Sequence, residues 1–301
     1  MRVLILGGAG MLGHKLCQLC QERFDTWVTV RTGYRDYARY GIFDPERTLG
    51  GVDAAGFDSV VRAMAEVKPD AVINCIGIIK QLKTAKDPIV SLSVNSLFPH
   101  RLANLCRASG ARMIHISTDC VFSGRKGRYT EADVSDAEDL YGRTKFLGEV
   151  DAPGCLTLRT SIIGRELKTA SGLIEWFLSN RGGKVRGFTR AVYTGLTTPV
   201  LARIIADLLE NHRELSGLYQ VSSEPIGKLD LLTLVNKTYS LDIQIEPDAE
   251  WVCDRSLDSS RFRLATGFAP ASWAGMVEEM YRDPTPYQDW HVNTNVLGLR
   301  S

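Results

Sequence analysis

The sequence predicts an α/β protein: a doubly wound parallel sheet followed by a smaller, mixed α/β C-terminal domain. Three observations lead there. Short apolar runs (residues 3–6, 26–30, 71–77, 113–118 and 155–159) alternate with segments of helical periodicity. The runs are mainly apolar rather than alternating, as strands buried on both faces are, which indicates a parallel sheet covered by helices on each side. The first run ends in a glycine turn that opens a helix, and beyond Gly164 the regular alternation breaks down. We therefore expect residues 1–160 to bind a dinucleotide, with part of 189–222 returning to that unit. Residues 161–301 are expected to form a substrate-binding domain ending in a loosely held tail.

Composition narrows the function. At 301 residues the chain can form one large or two moderate cores. A hydrophobic content of 44% and a charged content of 24% are those of an ordinary globular protein. With 36 basic and 35 acidic side chains the net charge is +1, so neither nucleic acid nor an anionic membrane is expected as a partner. No apolar run reaches the ~20 residues of a membrane span. The amino terminus enters a strand without a signal-peptide pattern, so a cytoplasmic location is expected. Seven scattered cysteines suit a reducing compartment. Cys17 and Cys20 form a Cys-x-x-Cys, but it lies inside a helical pattern and has no second pair, so we read it as structural. The five histidines show no ligand spacing, and no metal site is expected.

Taken in order, Gly7, Gly10 and Gly13 lie three apart, after a strand and before a helix that runs through Leu16 and Leu19. That context suits a pyrophosphate held by backbone N–H groups at a helix N-terminus. After the second strand come Arg31, Thr32 and Arg35, with no carboxylate before Asp36. An acidic residue there would hold the ribose of NAD(H), whereas arginine accommodates the 2′-phosphate of NADP(H). NADP(H) is thus favoured, with NAD(H) as the alternative. Residues 36–56 read as a loop with a short strand, and 57–67 as a helix. The strand at 71–77, carrying Cys75 and Gly77 at its end, should pass under the cofactor. A long helix over 88–109 carries Asn95 and stops at Gly110, as helices do at a C-cap glycine. Further helices are expected at 139–150, 174–178, 199–209, 229–239 and 272–281, and a strand at 217–221. Tyr141 and Lys145 fall one helical turn apart on the same face, where a cation would favour the phenolate.

Gly7-x-x-Gly10-x-x-Gly13, Ser117-Thr118-Asp119 and Tyr141-x-x-x-Lys145 resemble the extended short-chain dehydrogenase/reductase superfamily, a Rossmann-type fold. Residues 116–124, 141–149, 158–161 and 255–262 are similar to the dTDP-4-dehydrorhamnose reductase family, and the likeness runs to about Tyr281. The resemblance implies an NADPH-dependent reductase of a nucleotide-linked 4-keto-6-deoxy sugar, in cell-surface polysaccharide synthesis. It implies that Tyr141 protonates the ketone oxygen, that Lys145 lowers the tyrosine's pKa and bonds the nicotinamide ribose, and that Thr118 holds the oxygen. Asn95 would support a proton-relay water and Asp53 would contact adenine. Met11, Leu12, Cys75, Gly77, Ser117 and Ser161 would complete the cofactor site, and Asp119, Cys120 and Arg255 would face the substrate. Cysteine at 120, where dehydratases carry an acid/base glutamate, argues for reduction. The acidic run at 133–139, where rhamnose-pathway relatives have proline and apolar residues, reads as a solvated helix entry with Asp139 as N-cap.

Two other readings remain open. A nucleotide-sugar epimerase with bound NAD would use the same tyrosine. A regulatory subunit would keep the nucleotide site without turnover. The apolar faces of the helix over 88–109, or of that around Tyr141, could pair two copies as a homodimer.

Overall fold

The computed structural model describes residues 1–296. Its first part runs β1 (Arg2–Leu6), α1 (Met11–Gln21), β2 (Asp25–Thr29), β3 (Thr48–Leu49), α2 (Phe57–Val67), β4 (Ala71–Asn74), α3 (Pro88–Ser91), α4 (Phe98–Ser109), β5 (Arg112–Ile116), α5 (Leu140–Leu147) and β6 (Cys155–Arg159). Then come β7 (Ile162–Ile163), α6 (Leu173–Leu178), β8 (Lys184–Phe188), β9 (Ala191–Tyr193), β10 (Leu196–Thr197), α7 (Thr198–Glu210), β11 (Gly217–Gln220), β12 (Ile226–Gly227) and α8 (Lys228–Tyr239). The chain closes with β13 (Gln244–Asp248), β14 (Cys253–Asp254), α9 (Ser260–Thr266), α10 (Trp273–Tyr281) and α11 (Tyr287–Val296).

Seven parallel strands make the central sheet, in the order β11-β6-β5-β4-β1-β2-β3. Its core follows from strand periodicity: alternate residues point to opposite faces. Val3 and Ile5 of β1 join one cluster, with Leu16 of α1 and Leu201 and Ile205 of α7. Leu4 and Leu6 join the other, with Val60 and Met64 of α2 and Phe98 and Leu102 of α4. The strand order reverses between β1 and β4, and the crevice outside the strands' carboxyl ends at that point is where such sheets take ligands. Short strands build the remainder: β8 pairs with β13, and β9 lies between β12 and β14.

Two expectations are corrected. The long helix over 88–109 is interrupted by a π-helical turn at Leu92–Leu97. Pro99 explains it, because proline has no N–H to give to the carbonyl four residues back, at Asn95. That carbonyl instead abuts Gly148, where an added methyl carbon would lie 1.8 Å from the oxygen, so glycine is required there.

The loosely held tail is the second correction, since α11 is docked. Its Tyr287 and Trp290 are 2% and 9% exposed, and the Tyr287 hydroxyl and His14 Nε2 of α1 are 2.7 Å apart. Residues 297–301 of that expectation lie outside the described residues. No helix among the described residues is long and apolar enough to cross a membrane.

Candidate active site

The glycine loop leaves β1 with Gly7 in the left-handed region (φ 82°). A methyl on Gly13 would stand 2.2 Å from the Gly7 carbonyl oxygen, so α1 can approach the loop this closely only because residue 13 has no side chain. Gly10 is the N-cap of α1, makes no side-chain cap bond, and the first turn carries no carboxylate. The helix therefore presents free N–H groups and the positive end of its dipole, as an anion-binding helix start does. Met11 opens the helix, whereas the side chain of Leu12 is buried in the core, so only its backbone faces the crevice.

At the end of the second strand Arg31 and Asp53 form an exposed pair at 3.7 Å. So long and open a contact leaves the guanidinium available. Cys75 follows β4, its N–H donating to Leu6 O, and burial pushes its thiol pKa up. Gly77 is exposed beside the crevice. Loop, arginine and strand ends thus fit a dinucleotide carrying a 2′-phosphate.

The reactive groups gather at the ends of β5 and β6. Asp139 caps α5 by accepting from Gly142 N at 2.7 Å, as expected, and this starts the helix that carries Tyr141 and Lys145. Thr118 acts on the buried Tyr141 phenol, where it favours the phenolate against the burial that disfavours it. The Thr118 hydroxyl donates to Asp119 at 3.2 Å and accepts from Cys120 N at 3.1 Å, which opens the short turn Asp119–Val121. Asp119 is buried and its carboxyl pKa is pushed up by that burial, against the opposing pull of Arg255. Ser161 also favours the charged form of that carboxyl. Arg255 donates to Phe122 O at 2.8 Å and approaches the Cys120 sulfur at 3.8 Å. Burial raises the Cys120 thiol to about 12, so it is held as a neutral thiol.

Several placements differ from the expected roles. Lys145 donates to Ile116 O at 2.7 Å, and burial draws its pKa down to about 8. The Tyr141 phenol is pushed up rather than down. Burial is the main cause, Cys120, Asp119 and Asp139 add to it, and Thr118 opposes it. Asn95 spends its side chain on the loop after β4: it accepts from Ile78 N at 2.8 Å and donates to Ile78 O at 3.1 Å and to Thr144 at 3.3 Å. Ser117 donates to Glu149 at 2.7 Å, and Glu149 in turn is gripped by Arg159 through both oxygens, at 2.8 and 2.7 Å. Ser117 thus belongs to a buried ion-pair network under the site.

Sequence reasoning missed two cations. Lys80 lies 5.5 Å from the centre of the Tyr141 ring and 2.5 Å from Asp139. Lys228, the first residue of α8, acts electrostatically on Asp119, Cys120, Cys253 and Arg255. Both come from segments whose sequence carries no chemical motif.

A glycine loop at the switch point, a Thr-Asp turn after β5 and a Tyr-x-x-x-Lys helix facing it are the layout of an extended short-chain dehydrogenase/reductase. The chain belongs to the family described as RmlD substrate binding domain, whose model matches residues 1–239. It is 33% identical over 149 residues to the dTDP-4-dehydrorhamnose reductase of Streptomyces griseus, covering 49% of this chain and 43% of that protein. It is 28% identical over 236 residues to the probable low-salt glycan biosynthesis reductase Agl14 of Haloferax volcanii, covering 74% of this chain and 75% of the relative. The chain thus spans less than half of the first relative's length and three quarters of the second's. A crystal structure of a hypothetical dTDP-4-dehydrorhamnose reductase from Sulfolobus tokodaii superposes with a TM-score of 0.75 at 25% identity, covering 92% of this chain and 99% of that one.

Proposed function

We propose that this chain is an NADPH-dependent reductase of a nucleotide-linked 4-keto-6-deoxy sugar, in the synthesis of cell-surface polysaccharide precursors. The observation that carries this reading is the Tyr141 phenol set against the Thr118–Asp119 turn at the carboxyl edge of the sheet, with Lys145 buried on the same helix. Gly7, Gly10, Gly13 and the N–H groups of Met11 and Leu12 would hold the pyrophosphate, with Arg31 at the 2′-phosphate. Asp53, Cys75, Gly77, Ser117 and Ser161 are assigned to the rest of that site. When bound, the nicotinamide supplies a hydride to the ketone carbon.

The chain's own residues manage the oxygen. The Thr118 hydroxyl fixes it, and the Tyr141 phenol, protonated at neutral pH, delivers the proton that balances the hydride. Lys145, with its lowered pKa, is assigned to return a proton to the tyrosine. Asp119 positions Thr118, and Asn95 holds the loop after β4 that carries Lys80 to Tyr141. Cys120, held as a thiol, offers no carboxylate for removing a proton beside the ketone, which supports reduction over dehydration.

The test is loss of the reduced cofactor's near-ultraviolet absorbance, with NADPH and then NADH, against dTDP- and UDP-linked 4-keto-6-deoxy sugars. Wild type should turn over with a preference for NADPH, and Tyr141→Phe should lose about 10²- to 10⁴-fold in kcat while still binding cofactor. Cofactor binding without turnover of any ketosugar would sink the reading, and would favour the epimerase or the regulatory subunit.

A further inference from the structure

Facing the Thr118–Cys120 turn from the second half of the chain are two cations, Arg255 and Lys228, that no carboxylate meets in an ion pair among the described residues. Arg255 spends Nε on Phe122 O and one terminal nitrogen on the Cys120 sulfur, and it forms no ion pair among the described residues. Lys228 is half-buried, yet among the described residues it makes neither a hydrogen bond nor an ion pair; its one described contact is the ring of Trp251, 5.9 Å away. Burial lowers the Lys228 pKa, and Arg255 pushes it the same way, so the two cations repel. The carboxylate acting on both, Asp119, is itself buried, and Thr118, Cys120 and Ser161 favour its charged form.

Two partly desolvated like charges are costly unless an anion joins them. Beside them the indole of Trp251 is 44% exposed, propped edge-on by Phe188 at 5.0 Å. An open aromatic face beside a cation pair suits a flat base joined to a charged linker.

We propose that Lys228 and Arg255 hold the diphosphate of the substrate, and that the open face of Trp251 takes its base. This rests on the nucleotide-sugar reading above and gives it a direction: base over β14 and α8, diphosphate at the two cations, sugar ketone at Thr118 and Tyr141. Lys228 is then a binding residue that discriminates nucleoside diphosphates from neutral nucleosides.

Calorimetry of the whole chain with dTDP, UDP, thymidine, uridine and inorganic pyrophosphate tests it. Lys228→Met should weaken dTDP and UDP by about ten- to a hundred-fold, the loss of one charge-assisted contact, with a shallower salt dependence. NADPH binding should be unchanged, which also reports that the variant is folded. Trp251→Ala should weaken the nucleoside diphosphates and leave pyrophosphate alone. Equal dTDP and UDP affinity in wild type and Lys228→Met overturns the proposal, as does wild type that binds NADPH but neither diphosphate. Because binding is read, a chain that loses dTDP on Lys228→Met yet reduces no ketosugar keeps this subsite and sinks only the reductase reading. An active chain indifferent to Lys228→Met does the reverse.

Discussion

Tyr141 is held as a phenol by its surroundings, since burial and the carboxylates of Asp119 and Asp139 all disfavour the phenolate. A cation lies over its ring: Lys80, 5.5 Å from the centre and itself pinned to Asp139 at 2.5 Å. Removing Lys80 both withdraws a positive charge from the ring and frees the Asp139 carboxylate, and both changes raise the tyrosine's pKa. For an acid that must be protonated, the high-pH limb of kcat should therefore move to higher pH in Lys80→Met and stay in place in Lys80→Arg. A limb that does not move in Lys80→Met, measured against pH with saturating cofactor, would show that Lys80 acts only on the loop. Residues of this kind were illegible in the sequence. Tyr141, Lys145 and Thr118 stand in motifs, whereas Lys80 reaches the ring because Asn95, fifteen positions on, pins Ile78. Asn95 could be picked out, but its service to the loop could not, because the π turn that aims it stems from a missing N–H at Pro99.

Among the elements, α1 and α11 form a latch that joins the glycine loop to the end of the chain. His14 bonds Gly10 O through Nδ1 at 2.8 Å and Tyr287 through Nε2 at 2.7 Å, and Lys15 meets Asp283 at 2.5 Å in a buried pair. Burial holds His14 neutral, with a pKa of about 4, so the link does not charge near neutrality. At the other end His291 lies 3.2 Å from Glu175, which raises its pKa above 6.5. A raised folded-state pKa means stability that is fully present below the unfolded value and lost as pH rises through the folded one. Docking of α11 should thus loosen as pH rises through the raised His291 value, read as lower amide protection (exchange relative to the intrinsic rate) at 287–291, and His291→Gln should abolish that pH dependence. Unchanged protection as pH rises in wild type would exclude the His291–Glu175 pair as the cause. The helices of the first half could be located in the sequence from their apolar periodicity, and α2 matches its expected bounds of 57–67. The latch was hidden because its partners are some 270 residues apart. The β8–β13 pairing was hidden for the same reason: two short strands about sixty residues apart that carry no apolar run.

At the scale of the molecule, the sheet's carboxyl edge draws one crevice from Gly7, Arg31, Gly77, Thr118, Tyr141 and, from the far half, Arg255. A ligand that fills the cofactor end touches elements on both sides of the strand-order reversal, so its binding free energy reports on the whole fold. At about a hundred times its Kd, NADPH should add ~2.7 kcal/mol of stability, raising Tm by roughly 4 °C for a chain of this size. On the reading proposed here Arg31 carries the selectivity, its side chain being 74% exposed in a weak 3.7 Å pair that a phosphate can displace. Arg31→Leu should therefore reduce the NADPH shift to that of NADH, and leave the NADH shift as it was. Equal shifts with both cofactors in the wild-type protein would remove Arg31 from the phosphate site and return the choice between NADP(H) and NAD(H) to Asp53, the nearest carboxylate.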